Sequence, residues 1–230
     1  MRKHAFLLLV AVLFAAAAVF GLYHRQSYTD VTAEPNYLDR LVVGEMPQNI
    51  GVDVCRMMRA ELPTAKLIVR VTPVAEPENH FHMSQQKVAV KEIFAGSGLS
   101  VGDEIYLTAE NWQVVAQARE RPLSLNWHYV NVLRVGEDYL AFLKGYEGLT
   151  WQDIPVYYLR DRENMVTIAP VFCYGEIDNV CAVPKGGASG GTYVPYAEVR
   201  DNEFFGTTDA TVEAWEELKV EMLARYPAGQ

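Results

Sequence analysis

The chain has 230 residues and a mass of 25.9 kDa, which is enough for one ordinary domain with an appendage. Half of its residues are apolar and 21% are charged. This is globular composition, and it excludes a disordered, collagen-like or coiled-coil chain. The net charge is −9, but residues 1–26 hold three basic and no acidic side chains, so the rest carries 17 basic and 29 acidic ones. This excess of acidic side chains repels the phosphate backbone of nucleic acids. We therefore predict that the protein binds no nucleic acid.

The N-terminal segment is apolar and follows two basic residues. Arg2 and Lys3 precede Ala5–Tyr23, a run of 19 residues without a charge, which as a helix spans roughly 28 Å, close to the thickness of a bilayer core. We predict that residues 1–26 are an uncleaved signal-anchor helix that crosses the cell membrane once and leaves the body on the extracytoplasmic side. The alternative is a cleaved signal peptide, whose apolar core is usually only about 7–15 residues long.

Residues 27–63 are predicted to form a juxtamembrane stalk and a short helix. The first part contains Pro35 and Pro47 and has no steady hydrophobic period, which is typical of a linker. A helix is predicted at about 51–62, where Pro63 ends it. Cys55 falls on the apolar side of this helix, so we expect a buried free thiol.

Between residues 64 and 200 the hydrophobic period is that of β-strands. Residues 67–72 alternate in apolar character, and 139–143 is the most hydrophobic run. Further strands are predicted at 87–91, 104–108, 127–134, 155–159, 164–168, 170–174 and 179–183. Strands at this spacing without intervening helices predict an antiparallel barrel or sandwich.

Residues 201–230 are predicted to end in an amphipathic helix. Thr208 and Asp209 can cap it, and its apolar residues recur every three or four positions: Val212, Trp215, Leu218, Met222 and Tyr226. Because residues 139–143 are apolar on both faces, one face needs a cover. We predict that the helix packs on the barrel over such a strand; the alternative is a helix that binds a partner.

Four segments form a pattern that resembles a known group of proteins. They are Leu67-Ile-Val-Arg-Val-Thr-Pro-Val, Val88-Ala-Val-Lys-Glu-Ile-Phe-Ala-Gly, Val101-Gly-Asp-Glu-Ile-Tyr-Leu and Val135-Gly-Glu-Asp-Tyr-Leu-Ala-Phe-Leu. The pattern resembles uncharacterised exported bacterial proteins with the OB-type barrel of netrin-like and tissue-metalloprotease-inhibitor modules, over about residues 65–145. This resemblance implies a mainly β fold built on an OB-like antiparallel β-barrel. The chain lacks the N-terminal Cys that chelates a protease metal in the inhibitor modules, so the likeness concerns the fold alone.

Two cysteines suggest a disulfide. Cys173 and Cys181 flank seven residues that are typical of a hairpin turn, and strands beside such a turn can bring two Cα atoms within bonding range. In an oxidising compartment we therefore predict a bridge between them.

Three histidines are candidate metal ligands. His80 and His82 would lie on one face of an extended segment, near Glu76 and Glu78, and folding could bring His128 close to complete a zinc or copper site. No local spacing places the third ligand. We therefore favour a solvated loop after Pro77, and predict no metal and no other cofactor.

The segment Gly187-Ala-Ser-Gly-Gly has the spacing of a nucleophile elbow around Ser189. His128 and Asp138 precede it in the chain order of chymotrypsin-like proteases. An elbow, however, needs a strand before it and a helix after it, whereas the residues that follow, Thr192-Tyr-Val-Pro-Tyr, suit a strand or loop. We predict a flexible loop and no catalytic residue.

Aromatic side chains near the predicted strand ends point to recognition or to core packing. They are Trp112, Trp127, Trp151, Tyr157 and Tyr158. Exposed aromatic platforms would suit a glycan or peptide.

We expect a non-catalytic, membrane-tethered domain that binds an envelope protein, peptide or glycan, or that is a structural element of the envelope. The alternative is an exported metal-dependent or serine hydrolase.

Overall fold

The fold is described from a computed structural model that covers residues 2–27, 34–46, 50–80, 83–110, 112–115, 123–160, 168–186 and 192–229. The chain divides into two compact units, Met1–Tyr37 and Leu38–Gln230. The first contains helix α1 (Arg2–Ser27). Its stretch Phe6–His24 has a mean hydropathy of 2.6 and none of it is buried in the protein. By length and composition this helix can cross a membrane, as the sequence predicted.

The second unit combines two β-sheets with helices. Its helices are α2 (Ile50–Glu61), α3 (Tyr196–Val199) and α4 (Asp209–Arg225), with 3-10 turns at Tyr37–Arg40 and Leu62–Thr64. Its strands are β1 (Val42–Gly44), β2 (Leu67–Pro73), β3 (Glu78–His80), β4 (Met83–Ala95), β5 (Glu104–Thr108), β6 (Gln113–Val115), β7 (Ser124–Asn126), β8 (Tyr139–Leu143), β9 (Thr150–Trp151), β10 (Ile154–Tyr158), β11 (Val171–Cys173), β12 (Lys185–Gly186) and β13 (Thr192–Pro195). With about 32% strand and 31% helix, the chain is mixed and sheet-rich rather than mainly β.

The larger sheet contains the most hydrophobic strands. Its order is β11-β8-β2-β4-β5-β10-β9, and β3 pairs with β4. All of these pairs are antiparallel except β5 with β10, which is parallel. The alternating apolar residues of β2 and β4, among them Val69, Val71, Val88 and Val90, are fully buried. Period-2 patterning therefore located this part of the core correctly.

One isolated bridge connects strand β8 with the residue after β10. Leu143 and Leu159 pair antiparallel. The amide of Lys144 donates to the carbonyl of Tyr158 at 2.9 Å, and the amide of Arg160 donates to that of Phe142 at 2.8 Å. The described strands thus form a series of ladders joined by this bridge, and not a continuously paired closed barrel.

The smaller sheet has the order β12-β13-β1-β7-β6. Its central strand β1 pairs antiparallel with β13 and parallel with β7. The sequence analysis assigned these residues to the juxtamembrane stalk. The structure shows that they belong to the body, because the apolar side chains of Leu41, Val43 and Met46 are almost completely buried. A solvated linker would leave such side chains exposed to water.

Two predicted strands are absent from the structure. Residues 179–183 form no strand. Within the predicted strand 127–134, only Val130 forms an isolated bridge, with Phe204. The φ angles of His128 and Tyr129 are +52° and +62°, and such left-handed backbone is incompatible with an extended strand.

Helix α2 lies close to where the sequence predicted it and packs directly on α4. A side-chain carbon at Gly51 would collide with Thr211 of α4 and with Met46, so glycine permits this close approach. Cys55 is buried in α2, and burial raises its pKa to about 12. It is therefore a protonated, unreactive thiol at neutral pH.

Helix α4 packs its aromatic stripe on the larger sheet. The Trp215 ring centroid lies 5.7 Å from that of Phe172 on β11, and Phe172 lies 6.1 Å from Phe142 on β8. Tyr226, at the C-terminal end of α4, lies 5.7 Å from Phe142. The Thr208 side chain accepts a hydrogen bond from the amide of Thr211 and caps the helix, as the sequence signal indicated.

Candidate functional site

A pocket of about 270 Å³ lies in the smaller sheet, at the carboxyl ends of β1 and β7. Its buried wall is apolar, and consists of Val43, Leu125, Trp127 and Phe205. Its outer wall is half-buried or exposed, and includes Gly44, Ser124, Asn126, Tyr129 and Tyr193. Because β1 and β7 are parallel, their carboxyl ends meet at one edge of the sheet and leave this concave space.

Strand register determines which pocket residues face each other. Gly44 lies directly opposite Tyr193, and Val43 is paired with Leu125. A carbon added at Gly44 would meet nothing within 4 Å. Since directly opposed residues stand on the same face of a sheet, Gly44 leaves open the space beside the Tyr193 side chain.

The indole of Trp127 forms a rigid part of the pocket wall. It stacks on Trp112 with ring centroids 4.2 Å apart and planes 20° from parallel, and both residues are buried. Of the aromatic residues singled out in the sequence, Trp127 is the one that lines the pocket. Trp112 and Tyr157 are core residues, as the packing interpretation predicted. Trp151 and Tyr158 are half-buried elsewhere.

The turn that delivers Tyr129 to the pocket has a strained backbone. His128 and Tyr129 are consecutive residues in the left-handed region, which costs roughly 1–3 kcal/mol for each such non-glycine residue. Two hydrogen bonds hold the turn in place: the amide of Ala169 donates to the His128 carbonyl at 3.0 Å, and the amide of Phe205 donates to the Tyr129 carbonyl at 2.7 Å. Such strain persists only where the surroundings enforce it, and it concentrates at functional sites.

The polar groups of the pocket are uncharged. Four side chains of the outer wall make no side-chain hydrogen bond to any residue that the structure describes: Ser124, Asn126, Tyr129 and Tyr193. Burial raises the pKa of Tyr129, so its phenol stays protonated at neutral pH. The pocket therefore offers hydroxyl and amide groups beside aromatic faces, which suits binding of a neutral ligand.

Sequence reasoning found only part of this pocket. Trp127 was a candidate because it is a tryptophan at a predicted strand end. Gly44, Tyr129 and Tyr193 come from three distant segments, and only the pairing of β1 with β7 and β13 brings them together. A Gly and two Tyr residues without a motif give no local signal of this arrangement.

The candidate metal ligands are not brought together among the described residues. Among these residues, no three His, Cys, Asp or Glu side chains are grouped so that they could hold a metal ion. His80 contacts Glu78, with 3.3 Å between Nε2 and Oε2, and its ring lies 4.3 Å from that of Trp151. His128 lies in the strained turn beside the pocket, and His82 lies outside the described residues.

Glu78 belongs to a small polar cluster instead. The Tyr106 hydroxyl donates to Glu78 Oε1 at 2.7 Å. Burial alone would raise the pKa of Glu78, but hydrogen bonds from Tyr106 and His80 outweigh this effect and lower it. Glu78 is therefore ionised at neutral pH, which suits a structural hydrogen-bond acceptor rather than a general acid.

The alternative of a serine hydrolase gains no support from the residues that the structure describes. Asp138, the candidate acid, binds Arg70 at 3.2 Å and accepts a hydrogen bond from Thr72. Its carboxylate is thus engaged in linking β2 to the turn before β8. Ser189 itself lies outside the described residues.

The predicted disulfide between Cys173 and Cys181 is absent: both are free thiols. The expected hairpin is missing, because β11 pairs with β8 and the chain after Tyr174 leaves the sheet. The two thiols have different surroundings. The Cys173 amide donates to buried Glu203, whereas Cys181 lies near Asp209 of α4. Burial raises the pKa of both thiols.

Comparisons with known proteins give little guidance. No family model matches the chain. It is 30% identical over 95 residues to the large ribosomal subunit protein uL22 of Neorickettsia sennetsu, and the match covers 40% of this chain and 75% of that protein. The larger part of this chain has no counterpart in the match, and the acidic body is unlike an RNA-binding surface.

Proposed function

We propose that the protein is a membrane-tethered, extracytoplasmic domain that binds a ligand in the pocket of its smaller sheet and catalyses no reaction. The observation that carries this proposal is the pocket: apolar and aromatic walls, four uncharged polar side chains, and no charged residue among its described lining. Such a site has groups for recognition but no described acid, base or metal ligand for chemistry. The ligand is a part of an envelope protein, a peptide or a glycan.

The tether is supported by helix α1 and by the charge distribution. None of the stretch Phe6–His24 is buried although it is strongly apolar, so it needs an apolar environment outside the protein. Arg2 and Lys3 favour a cytoplasmic N-terminus under the positive-inside rule. This orientation places the acidic body and its pocket on the extracytoplasmic side.

We also propose that five strands of the larger sheet form an OB-type barrel. Strand neighbours run β8-β2-β4-β5-β10, and the Leu143–Leu159 bridge leads from the end of β10 back to β8. The register between β2 and β4 shifts twice, and such bulges bend strands in the way that closure requires. This ring agrees with the implied netrin-like fold.

Membrane localisation and orientation test the tether. We would fuse alkaline phosphatase, which folds only in an oxidising compartment, after Gln230, and separate membranes from soluble protein. The expected result is an active fusion in the membrane fraction with an intact N-terminus. The matched variant Arg2→Glu/Lys3→Glu should lower phosphatase activity because it removes the orientation signal. A soluble product that begins near Leu22, or an inactive wild-type fusion, would overturn the proposal.

A further inference from the structure

We infer that the ligand of the pocket is a single neutral sugar ring, either free or at the end of a glycan. This inference rests on the binding function proposed above and assigns its ligand class. It is carried by three properties of the pocket: its volume, its uncharged polar groups beside aromatic faces, and its position within the sheet.

The volume suits one substituted ring. The pocket measures about 270 Å³, and an engineered cavity of about 150 Å³ in another protein holds benzene. A six-membered ring with several hydroxyl substituents therefore fits, whereas a folded protein segment does not. A long glycan would enter only with its terminal residue.

The chemistry of the wall matches the two surfaces of a sugar. A pyranose has apolar C–H faces and a rim of hydroxyl groups. Trp127 and Phe205 close the buried, apolar end of the pocket, while Ser124 and Asn126 provide a hydroxyl and an amide. Tyr129 and Tyr193 combine a ring with a hydroxyl group. Because the described lining has no charge, a carboxylate or ammonium ligand would lose its hydration without gaining an ion pair.

The position in the sheet disfavours an extended peptide. The pocket lies at β13, β1 and β7, which are interior strands of the order β12-β13-β1-β7-β6. Peptides that bind along a sheet add to an open edge, where backbone groups are unpaired. Here β1 is paired on both sides, so side-chain groups and not backbone groups are left for the ligand.

Two glycines provide a matched pair of variants. A side chain at Gly44 would stand beside Tyr193 and fill the pocket, and its first carbon meets nothing within 4 Å. Gly186 on β12 also has nothing within 4 Å and does not line the pocket. Neither glycine has a positive φ. Gly44→Phe should therefore block the pocket, and Gly186→Phe adds the same exposed ring elsewhere.

The test uses saturation-transfer difference NMR on the full chain in phosphatidylcholine nanodiscs, because many detergents carry sugar headgroups. The probes are N-acetylglucosamine, glucose, glucuronate and N-acetyltyrosinamide. We expect binding of a neutral sugar with a dissociation constant on the order of 1 mM. Gly44→Phe should abolish the signal, Gly186→Phe should retain it, and glucuronate should bind at least about tenfold more weakly than glucose.

Two results would overturn the inference. One is a wild-type protein that gives no signal with either neutral sugar; the other is a sugar signal that Gly44→Phe leaves unchanged. If N-acetyltyrosinamide alone binds and Gly44→Phe removes its signal, the sugar class is wrong while the proposed binding function stands. Should Gly44→Phe not fold, Tyr193→Ala takes its place, with Tyr146→Ala outside the pocket as its control.

Discussion

The indole of Trp215 lies parallel to the ring of Phe204, with centroids 5.0 Å apart and planes 5° from each other. Phe204 lies in the segment between α3 and α4, and Trp215 lies on α4. Both rings are fully buried. Helix α4 is therefore part of the hydrophobic core and is not free to leave it for a partner at low cost.

The contribution of Trp215 can be measured directly. Trp215→Ala removes a large buried ring and leaves a cavity, so it should lower the free energy of unfolding by about 3–5 kcal/mol. Val220→Ala on the same helix is the control, because Val220 is 68% exposed and its loss should change stability by less than about 0.5 kcal/mol. Chemical denaturation followed by circular dichroism gives both values. Equal values for the two variants would contradict the packing of α4.

A buried ion pair connects α4 to the segment before it. Lys219 Nζ lies 2.5 Å from Glu203 Oε2, and the exposed fractions of the two side chains are 12% and 2%. Burial raises the pKa of Glu203, although Lys219 opposes this effect. Because the pKa is higher in the folded state than in the unfolded state, protonation of Glu203 favours the folded state.

This shift predicts a pH-dependent difference between wild type and Glu203→Gln. The stability that protonated Glu203 provides is fully present below its ordinary pKa of about 4.3 and is lost as pH rises through the raised folded value. The unfolding free energy of wild type minus that of Glu203→Gln should therefore fall as pH rises from about 4 toward 7.

Lys219→Met provides the second arm of that experiment. It removes the cation that opposes the shift, so the decline should move to higher pH. Denaturant titrations at several pH values measure both curves. A difference that does not change with pH would show that Glu203 keeps an ordinary pKa, and one that grows as pH rises would show that its pKa is lowered in the folded state; either result would contradict the prediction.

Amide hydrogen exchange tests the proposed barrel at the isolated bridge between Leu143 and Leu159. The amides of Lys144 and Arg160 donate across the contact between β8 and the end of β10. If these strands close a barrel, both amides should exchange as slowly as those of the fully paired strand β2, because exchange would need opening of the sheet. NMR exchange rates on the labelled protein provide the measurement. Exchange at the unprotected rate at both positions would mean an open sheet.

Thiol counting tests the cysteine arrangement. Cys55, Cys173 and Cys181 are free in the structure, so denatured, unreduced protein should react with three equivalents of a thiol reagent. The native protein should react slowly near pH 8, because burial raises the pKa of all three thiols and only thiolates react. One equivalent in the denatured protein would indicate a Cys173–Cys181 disulfide.

Local sequence patterns were sufficient to predict the helices and strands whose signal lies within their own residues. Helix α2 was expected at about 51–62 and lies at Ile50–Glu61, because its apolar stripe and Pro63 are local signals. Strands β2 and β8 were likewise apparent from long hydrophobic runs. In contrast, β1 has three residues and is a strand only because β7 and β13 pair with it.

The strained turn at His128 and Tyr129 could not be predicted from the sequence, for a related reason. Residues 127–134 were predicted to be a strand, yet His128 and Tyr129 take positive φ values. Hydrogen bonds to Ala169 and Phe205 enforce that geometry, and both partners lie far along the chain. Tertiary contacts here outweigh the local preference. The pocket depends on this turn, so it could not be predicted either.

The central position of β1 constrains the order in which this protein can mature. Residues 42–44 are synthesised early, but their partners are residues 124–125 and 193–195. Strand β1 therefore cannot complete its pairing until nearly all of the chain has emerged, and such distant pairing is slow to form. During that interval its unpaired backbone is available to other chains. We expect a nascent chain to need a chaperone up to this point, and the proposed pocket to form only after β13 has paired with β1.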